Sequence, residues 1–599
     1  MIYHCEDHTC NYWDEGEKLP ERCPQCGRKL LRANEADMTG DDWTALGNTL
    51  WDAEASDKKR MVDCFRKAAY LGSAWGVCNL GICMEQGNGV EADPVQAFWL
   101  YQQAVEMGSL NAVCCLGVCY QYGIGTAPDA EKAAELYCKA AEYGSPRGQM
   151  LLARAFHDGI GVEADAAEAV HWVRAAAYQR YGEGMYRLGV CYEYGDGVEQ
   201  NWEHAVHWFR EAAESGVSVA MTDLGYCYEK GCGVEQSWEQ AFSWYRRGAE
   251  CGDLRSMHNL GYCYEKGRGV EQSWEQAFSW YRRGAECGYP VSMSNLGLCY
   301  KRGYGVDQNW QEAIKWYEQG AQCGDLQCMH NLACCYERGE GVEQNEDRAL
   351  YWYRRGAEAG SDYCMYCLGW NYSNGEGVEQ NMTEAIRWYT AAAEGGNADA
   401  MHDLGWLYDH GEGVEQDMKK AICWYERAAE QNHPAAMNSL GECYAMGRGV
   451  PRDLETAMEW YRRAAELGEA MADYNMGWHL EQAGKLSEAY AHYRKAADGN
   501  DDSAWWALGR FYENGVVVAQ DGKEARRCYE TGEKLGSVKC KMRLARCKLL
   551  GIGGRREKKA GLDLCRQALE LAKESSEKED YGYEAEMNLL RRTIAENES

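Results

Sequence analysis

Four cysteines near the N-terminus are the residues of this sequence whose type and spacing most clearly favour chemistry. Cys5, Cys10, Cys23 and Cys26 follow the pattern C-x4-C-x12-C-x2-C, and the second pair is embedded in Cys-Pro-Gln-Cys-Gly. Four thiolates suit a tetrahedral metal ion, because a tight turn between two cysteines lets both sulfur atoms reach it. The glycine that follows Cys26 allows backbone N–H groups to approach the sulfur. The cluster therefore predicts a metal site closed by four protein ligands, which disfavours catalysis there.

The pattern is typical of a zinc ribbon, and we expect structural zinc in a module that covers residues 1–30. A segment this short buries little apolar core, so metal binding would supply its folding energy. The first pair is spaced by four residues rather than the two usual in a ribbon, so His8 or His4 stays an alternative ligand in place of a cysteine. The same four residues could also bind iron in place of zinc, or remain thiols without a metal.

An internal repeat organises the rest of the sequence. Residues 224–252 recur at 260–288 with a single change, Cys232 to Arg268, and weaker copies follow at a spacing of 36 residues. Such a period predicts stacked units around one continuous core, so chain length does not count separate globular domains. About fifteen units cover residues 46–570.

Residues 31–45 are a polar connector between the cysteine module and the repeats. A helix N-cap signal begins at Thr39 and ends at Asp42, before the first helix of the repeats. We place the domain boundary in this connector.

One repeat unit has the pattern of two helices. Around Leu260, apolar residues recur three to four positions apart until the glycine-x-glycine-valine segment 267–270 ends the pattern, which predicts helix A and its turn. Small and aromatic residues recur with the same period in residues 274–286, which predicts helix B, and Gly288 is placed to cap it. Trp280 and Tyr281 are expected to fill the spaces between neighbouring hairpins. Each unit is therefore an αα-hairpin that cannot bury its apolar face alone.

The glycine-x-glycine-valine turn recurs in ten units. A dinucleotide-binding loop needs a preceding strand, and no alternating strand pattern stands before these glycines. We interpret the segment as a turn rather than as a phosphate-binding loop.

Two signatures recur in order along the chain, L-G-x-x-Y-x-x-G-x-G-V and A-x-x-W-Y-x-x-A-A-E-x-G, as in LGVCYEYGDGV from Leu188 and AIRWYTAAAEGG from Ala385. From residue 46 to about 570 the sequence closely resembles the Sel-1-like repeat, a relative of the tetratricopeptide repeat. The resemblance implies an all-α fold, a right-handed α-solenoid superhelix of αα-hairpins. It also implies a protein interaction scaffold or adaptor that has no active site, so we do not expect an enzyme.

One face of helix A lies on the concave wall in tetratricopeptide geometry, and we expect a peptide or protein partner to bind there. Asn or Asp often stands one position before the anchor leucine of helix A, and Tyr or Trp two positions after it. Amides can hydrogen-bond an extended peptide, and rigid aromatic rings offer contact area at low entropic cost. The predicted partner-binding residues are Asn259, Asn295, Asn331, Tyr226, Tyr262, Trp370 and Trp406. The alternative is that the amides brace neighbouring repeats.

The sequence contains thirty cysteines and has a formal net charge of −31, which bear on its cellular compartment and on its partners. The N-terminus lacks the basic and apolar regions of a signal peptide, and no apolar run could span a bilayer, so we expect a cytoplasmic protein with reduced thiols. Cysteines three positions after the anchor leucine are expected to pack as small apolar residues. The negative charge disfavours nucleic acid and membranes as partners and also keeps the surface soluble.

A basic segment near the C-terminus reverses this charge. Residues 534–559 contain ten lysine and arginine residues, and we expect them to form a soluble cap that continues into a capping helix and tail at 571–599. The alternative is self-association, in which the basic cap docks on the acidic body of a second copy.

A hydrolase and a nucleic-acid adaptor are two functions that the sequence disfavours. Cysteine-rich relatives of the Sel-1-like repeat have been linked to β-lactam and peptidoglycan chemistry, and the segment from Ser56 to Lys59 matches S-x-x-K. The S-D-N and K-T-G motifs that accompany such a nucleophile are absent from the sequence, which disfavours a hydrolase. The zinc ribbon could instead serve a nucleic-acid adaptor, which the acidic body disfavours.

Overall fold

A computed structural model describes residues 2–5, 13–15, 30–33, 38–51, 55–578 and 584–598. The chain divides into two compact units, residues 1–309 and residues 310–599. A short antiparallel sheet opens the first unit, and 31 helices follow in the described residues of the chain. Consecutive helices pack as hairpins in both units, so the prediction of an all-α solenoid of hairpins is confirmed for the repeats.

Three short strands form a sheet with the order β2-β1-β3. Their bounds are β1 Ile2–Cys5, β2 Trp13–Glu15 and β3 Leu30–Ala33. The central strand β1 is antiparallel to both neighbours, with His4 opposite Trp13 and Cys5 opposite Leu30. The C-terminal end of β1 therefore lies beside the first residue of each of the other two strands.

The first unit contains fifteen helices among its described residues. They are α1 Gly40–Thr49, α2 Ala55–Tyr70, α3 Ala74–Gln86, α4 Pro94–Glu106, α5 Leu110–Tyr122, α6 Ala130–Glu142, α7 Pro146–Asp158, α8 Ala166–Tyr178, α9 Gly182–Tyr194, α10 Trp202–Glu214, α11 Ser218–Lys230, α12 Trp238–Glu250, α13 Leu254–Lys266, α14 Trp274–Glu286 and α15 Pro290–Arg302. Each odd-numbered helix from α1 to α13 packs against the helix that follows it, which gives seven hairpins.

The second unit contains sixteen helices among its described residues. They are α16 Trp310–Gln322, α17 Leu326–Arg338, α18 Glu346–Glu358, α19 Asp362–Asn374, α20 Met382–Glu394, α21 Ala398–His410, α22 Met418–Glu430, α23 Pro434–Met446, α24 Leu454–Glu466, α25 Ala470–Gln482, α26 Leu486–Asp498, α27 Asp502–Asn514, α28 Gly522–Lys534, α29 Val538–Leu550, α30 Lys558–Lys578 and α31 Glu584–Glu598. Pairs from α17·α18 to α29·α30 form another seven hairpins.

Local capping explains where the two helices of a repeat begin and end. The Asp253 carboxylate accepts a hydrogen bond from the Ser256 amide at 2.7 Å and starts α13, while Ser273 caps α14 in the same way. Helix α14 covers residues 274–286, the bounds predicted from the sequence, and Gly288 follows it with φ of 87°. A left-handed residue at this place lets the last carbonyl groups of the helix find donors.

The turn between the two helices requires both of its glycines. Gly267 caps α13 with φ of 66°, a left-handed conformation that costs a residue with a Cβ more than it costs glycine. Gly269 has φ of 70°, and a Cβ there would lie 2.1 Å from the carbonyl oxygen of Trp238 in the preceding hairpin. The interpretation of this segment as a turn is confirmed.

A buried aromatic ring from helix B packs against a glycine of helix A. Tyr281 of α14 is fully buried, and a Cβ at Gly261 of α13 would lie 2.6 Å from its ring, so a larger residue there would require the ring to shift. The Tyr281 hydroxyl donates a hydrogen bond to Glu265 at 2.8 Å. The ring therefore fills the apolar space of the hairpin while its polar end remains satisfied.

The ends of the repeat region are held by their own contacts. Thr39 caps α1 through a reciprocal capping box with Asp42, as the sequence predicts. Helix α1 begins at Gly40, inside the polar connector 31–45, and α30 runs through residue 570 to Lys578.

Candidate functional site

The odd-numbered helices from α3 to α29 are the A helices that carry an anchor leucine or methionine of the repeats. We call the residues one before and two after this anchor the A-helix face. In the first unit, α11, α13 and α15 place Tyr226, Asn259, Tyr262 and Asn295 on this face. In the second unit, α17, α19 and α21 place Asn331, Trp370 and Trp406 there.

Large aromatic side chains are exposed at one position of the A-helix face. Tyr226 is 44% exposed, Trp370 and Trp406 are each 39% exposed, and Trp478 is 37% exposed. Each of these residues stands two positions after the anchor of its helix. The aromatic residues of the B helices at the core position are buried instead, as Tyr281 is. In these repeats, the aromatic residue of helix A is thus exposed to solvent, whereas the aromatic residue at the core position of helix B fills the core.

Polar groups hold several of these rings in place. Tyr262 is half-buried, and the Arg268 guanidinium lies 5.2 Å from the centre of its ring. The Trp406 ring stacks on His410 with 4.3 Å between ring centres and 21° between ring planes. The rings therefore start from a restricted set of orientations, which lowers the entropic cost of binding through them.

Several polar residues of the A-helix face bond to the preceding repeat. Asn295 Nδ2 lies 3.3 Å from His258 Nδ1, across 37 residues of sequence. The same spacing joins the Tyr186 hydroxyl to Asp223 at 2.9 Å, the Tyr366 hydroxyl to Asp403 at 3.1 Å, and Asn475 to Asn438 at 3.0 Å. This geometry favours the bracing alternative for these positions.

Two of the three predicted amides lie in a different environment from Asn295. Asn331 accepts a hydrogen bond at 3.2 Å from Gln327, a residue of its own helix. Asn259 is half-buried, and no hydrogen bond joins its side chain to another residue in the described part of the chain. Asn259 is therefore the amide of this set that is most available to a ligand.

A cavity of about 510 Å³ opens between α7, α8 and α9 of the first unit. Its apolar wall includes Ala153, Val170 and Val173, and its polar rim is built by the following residues: Arg147, Arg154, His157, Asp158, Tyr181, Glu183, Arg187 and Asp196. This cavity was not predicted from the sequence. The signal was present, because Val173 interrupts a column of aromatic residues that recurs in the other B helices from α2 to α28.

The charges at this cavity are only partly paired. His157 contacts Asp158 at 2.7 Å and Asp196 at 3.2 Å, and the hydrogen bond with Asp158 raises the pKa of the His157 ring. Arg154 also contacts Asp158, at 3.4 Å. Arg187 and Arg147 form no ion pair with a carboxylate of the described residues.

A buried ion-pair network closes the A-helix face near the C-terminal end. The Glu513 carboxylate accepts hydrogen bonds from Arg543, Arg546 and the Tyr529 hydroxyl. Glu586 of α31 is 7% exposed, and it accepts from Arg543 at 2.7 Å and from the indole N–H of Trp506 at 3.3 Å. Arg543 and Arg546 of the basic segment 534–559 are thus largely buried in ion pairs within the fold. Sequence reasoning missed the contact with Glu586 because α31 lies outside the repeat pattern.

Most cysteines of the repeats pack as small apolar side chains, whereas Cys251, Cys287, Cys323 and Cys423 are exposed. The twenty-six cysteines from Cys64 to Cys565 are free thiols. The column three positions after the anchor is buried in eight of its nine members, with Cys191 half-buried. Burial raises the pKa of Cys83 to about 11 and the pKa of Cys263 to about 12, which keeps both thiols protonated.

The predicted metal ligands lie largely outside the described residues. Cys5 is the last residue of β1, whereas Cys10, Cys23 and Cys26 belong to segments that the structure does not describe. Among the residues it does describe, no cluster of three or more His, Cys, Asp or Glu side chains could hold a metal ion. His4 and His8 therefore stay open as alternative ligands.

The S-x-x-K segment from Ser56 to Lys59 lies in the first turns of α2, and the side chain of Ser56 is outside the described set. In the part of the chain that the structure covers, every helix is too short or too polar to cross a bilayer.

Comparison with known proteins gives a family match that spans most of the chain. The family model described as Sel1 repeat matches fourteen segments that begin at residue 76 and end at residue 573. No curated protein matches the chain.

The solved structures that are similar to this chain include two Sel1-like repeat proteins. The protein c5321, a protective antigen of uropathogenic Escherichia coli with an SLR fold, is 32% identical over 75% of this chain and 97% of its own, with a TM-score of 0.52. A Sel1 repeat protein from Oxalobacter formigenes is 30% identical over 41% of this chain and 96% of its own, with a TM-score of 0.37. Sel1 repeats are typically non-catalytic and generally mediate protein interactions.

Proposed function

We propose, from the premise that the chain belongs to the Sel1 repeat family, that it is a non-catalytic scaffold whose A-helix face binds a peptide or protein partner. One observation carries this proposal. Tyr226, Trp370, Trp406 and Trp478 stand at one repeat position and are 37% to 44% exposed. Exposed aromatic residues in register supply the rigid, amphipathic anchors that dominate protein interfaces.

The amides beside these rings serve the proposed site in two ways. Asn295 is bonded to His258. In the proposed site it therefore stabilises the A-helix face beside the rings and does not itself contact the partner. Asn259, whose amide has no such bond to a described residue, can accept and donate to the backbone of an extended peptide. The proposed contacts are therefore Asn259 and the face aromatics in the first unit, with Asn295 in support, and Asn331 and the face aromatics in the second unit.

Variants of the aromatic residues test the scaffold proposal. Partners are captured from a native lysate and identified by mass spectrometry, and the Kd of the purified partner is then measured for Trp370→Ala and Trp406→Ala. We expect each change to weaken binding about tenfold or more, because truncating a central aromatic anchor removes contact that rim residues do not replace. The matched control is Trp99→Ala, since Trp99 is 64% exposed on the B helix α4. Equal Kd values for all three variants and the wild type would refute the A-helix face as the site.

We also propose that residues 1–30 bind one structural zinc ion through Cys5, Cys10, Cys23 and Cys26. Strand pairing supports this proposal, because Cys5 lies opposite Leu30 and its neighbour His4 lies opposite Trp13. Cys10 is three residues before Trp13 and Cys26 is four residues before Leu30, so two of the proposed ligands are close in sequence to the strands that pair with β1. Four sulfur donors fit tetrahedral zinc.

Elemental analysis of protein purified without chelator tests the zinc proposal. We expect about one zinc ion per chain, and the double change of Cys23 and Cys26 to serine should remove it. Because a repeat contacts only its neighbours, this variant should keep the helicity of the solenoid. Iron at the same stoichiometry would replace zinc in the proposal, and the absence of both metals would end it.

Self-association through the basic segment is a further proposal, and it depends on the cations that the fold leaves exposed. Arg543 and Arg546 are engaged by Glu513, which leaves Lys534, Lys558 and Lys559 exposed for contact with an acidic surface. Light scattering at low and high salt tests it, since a contact between exposed charges weakens as ionic strength rises. A monomer at both salt concentrations rules this contact out.

Nucleic acid and anionic membranes are not among the proposed partners, because a chain with a net charge of −31 repels them.

A further inference from the structure

The hairpin of α7 and α8 lacks the aromatic ring that fills the other hairpins of the first unit. Among the hairpins of the second unit, α29 and α30 also lack the ring and hold Ala545 and Cys565 at the two places. At eleven positions a Cβ placed on the glycine of helix A would collide with a ring of helix B. The glycine and ring pairs are Gly47 and Phe65, Gly81 and Tyr101, Gly117 and Tyr137, Gly189 and Phe209, Gly225 and Tyr245, Gly261 and Tyr281, Gly369 and Tyr389, Gly405 and Tyr425, Gly441 and Tyr461, Gly477 and Tyr493, and Gly509 and Tyr529. In α7 and α8 the same two places hold Ala153 and Val173.

The hydrogen-bond partner of the missing ring is changed as well. A tyrosine of helix B typically donates to a Glu or Gln sixteen residues earlier, as Tyr137 does to Gln121 at 2.7 Å and Tyr245 does to Glu229 at 2.9 Å. Sixteen residues before Val173 stands His157, which is bonded to Asp158 and Asp196 instead. Both halves of the usual contact are therefore absent from this hairpin.

The cavity of about 510 Å³ lies where that ring would be. Its residues come from α7 and α9, the two A helices between which a tyrosine of α8 would insert, and Val173 and Ala153 form part of its wall. Val173 is 6% exposed and Ala153 is 3% exposed, so the apolar wall is recessed behind the polar rim. An aromatic side chain from outside would bury its apolar surface against these residues.

The rim of the cavity selects the charge of what enters it. Asp158 and Asp196 are engaged by His157 and Arg154. Arg147 donates to the Cys115 sulfur at 3.6 Å, and neither Arg147 nor Arg187 is paired with a carboxylate of the described residues. Glu183 is the remaining acid of the rim, so two guanidinium groups that have no ion pair with a described carboxylate stand against one carboxylate. Three arginines and three carboxylates build the rim, so its net charge is zero with a neutral His157 and +1 with a protonated His157, whereas the whole chain carries −31.

The chain itself shows what an arginine at this repeat position binds. Arg187 stands one residue before its anchor leucine, and Arg543 stands at the same place in α29. Arg543 donates at 2.7 Å to Glu586, a carboxylate that is supplied by a helix outside the repeats. A guanidinium at this position of the A-helix face can thus receive an acidic side chain from another segment, and Arg187 has none from the described residues.

We propose that the cavity of α7, α8 and α9 is a docking pocket for a partner polypeptide that inserts an aromatic side chain between α7 and α9 and places an adjacent acidic side chain on Arg187 and Arg147. This inference rests on the proposed scaffold function and names the chemistry of the segment recognised. The partner's ring takes the place that tyrosine occupies in the other hairpins, and its carboxylate takes the role that Glu586 has for Arg543.

Fluorescence anisotropy with the full chain and three labelled peptides tests this pocket. The first peptide carries tyrosine with two acidic residues on each side, the second has alanine in place of the tyrosine, and the third has lysines in place of the acids. We expect saturable binding of the first peptide, about tenfold tighter than that of either other peptide. Absence of saturable binding, or equal binding of the tyrosine and alanine peptides, overturns the proposal.

Two variants with matched controls locate the binding. Val173→Tyr fills the cavity with the chain's own ring and Arg187→Gln removes the cation, so each should raise the Kd of the first peptide about tenfold. Val95→Tyr makes the same substitution at an exposed position of the B helix α4, and Arg246→Gln removes an exposed cation of the B helix α12, so both controls should stay within about twofold of wild type. If Val173→Tyr melts below wild type, Arg187→Gln and its control decide.

Two outcomes distinguish a peptide pocket from a small-molecule site and from the A-helix face. If 4-hydroxyphenylacetate displaces the first peptide with equal molar affinity, the cavity is assigned to a small aromatic acid and the peptide proposal is overturned. If a captured partner is released by Trp406→Ala and bound normally by both Val173→Tyr and Arg187→Gln, the pocket is overturned while the scaffold function stands.

Discussion

The hairpins α7/α8 and α27/α28 have helices of equal length but differ in what fills the space beside helix B: a cavity in the first and a buried aromatic ring in the second. In α27/α28, Tyr529 is fully buried against Gly509, and its hydroxyl donates to Glu513 at 2.8 Å. In α7/α8, the corresponding residues are Ala153 and Val173, and a cavity of about 510 Å³ lies beside them. The hairpin backbone therefore forms with or without the ring. The ring decides only whether the space between neighbouring A helices is filled.

The same two hairpins treat their arginines differently. Arg543 and Arg546, which follow α27/α28, share the Glu513 carboxylate, and all three side chains are largely buried. Arg187, which follows α7/α8, has no described carboxylate as partner. Because each repeat contacts only its neighbours, charged residues of the A-helix face can be paired within the chain in one region and left without an ion pair in another.

Glu513→Ala should have the largest effect, because it breaks the closed region. The change leaves the guanidinium groups of Arg543 and Arg546 without this acceptor while they are only 14% and 22% exposed. Removing one partner of a buried ion pair costs about 3 to 5 kcal/mol of unfolding free energy. Hydrogen exchange should show the loss in α27 to α31.

The control for this change is an exposed ion pair. Glu459 pairs with Arg462, and both side chains are more than half exposed, so Glu459→Ala should cost less than about 1 kcal/mol. Equal losses for the two variants would mean that the C-terminal network is not buried in solution.

Tyr281→Val should convert a filled hairpin into one like α7/α8. The ring of Tyr281 is fully buried, so its loss leaves a cavity and should lower the unfolding free energy by about 2 to 4 kcal/mol. Denaturant titration measures this change. Tyr281→Phe removes only the hydroxyl that bonds to Glu265 and should cost about 1 kcal/mol. A larger loss for Tyr281→Phe than for Tyr281→Val would show that the hydrogen bond, and not the ring, holds the hairpin.

The sequence predicted the hairpins well because the repeat states the same pattern many times. The bounds of α14 agree with the predicted segment 274–286, and the glycines at 267 and 269 form the predicted turn. Nearly identical copies such as residues 224–252 and 260–288 make the helical period unambiguous. Local propensity, capping and period all agree in these units, which is the condition under which sequence reasoning is reliable.

The contacts of the A-helix face could not be predicted in the same way. The bond between Asn295 and His258 depends on the side-chain orientation of two residues that are 37 positions apart. The pair of Arg543 with Glu586 involves a helix that lies outside the repeat, so no period points to it. The cavity at Val173 was readable as a break in an aromatic column, but its volume and rim depend on the packing of three helices.

Val173→Tyr should stabilise the open region. An alanine opposite the ring is tolerated elsewhere, because Tyr353 of α18 is fully buried in the hairpin where Ala333 replaces the usual glycine. Filling the cavity should raise the unfolding free energy by about 0.5 to 2 kcal/mol. Denaturant titration checks the gain, and Val95→Tyr, at a position of α4 that is 55% exposed, should change the unfolding free energy by less than about 0.5 kcal/mol. A loss of stability in Val173→Tyr would mean that the cavity is too narrow for a ring.

Asn295→Ala should have the smallest effect, and it distinguishes bracing from binding on the A-helix face. The bond from Asn295 to His258 joins α15 to α13, so its loss should lower the unfolding free energy by about 0.5 to 1.5 kcal/mol. Asn259→Ala is the matched control on α13, because no comparable bond to a described residue is lost there. We therefore expect Asn295→Ala to lower stability and leave the Kd of the captured partner within about twofold, and Asn259→Ala to weaken binding severalfold at unchanged stability. Reduced stability in both variants with unchanged binding would leave the amides as braces alone, and the aromatic residues would then carry recognition without them.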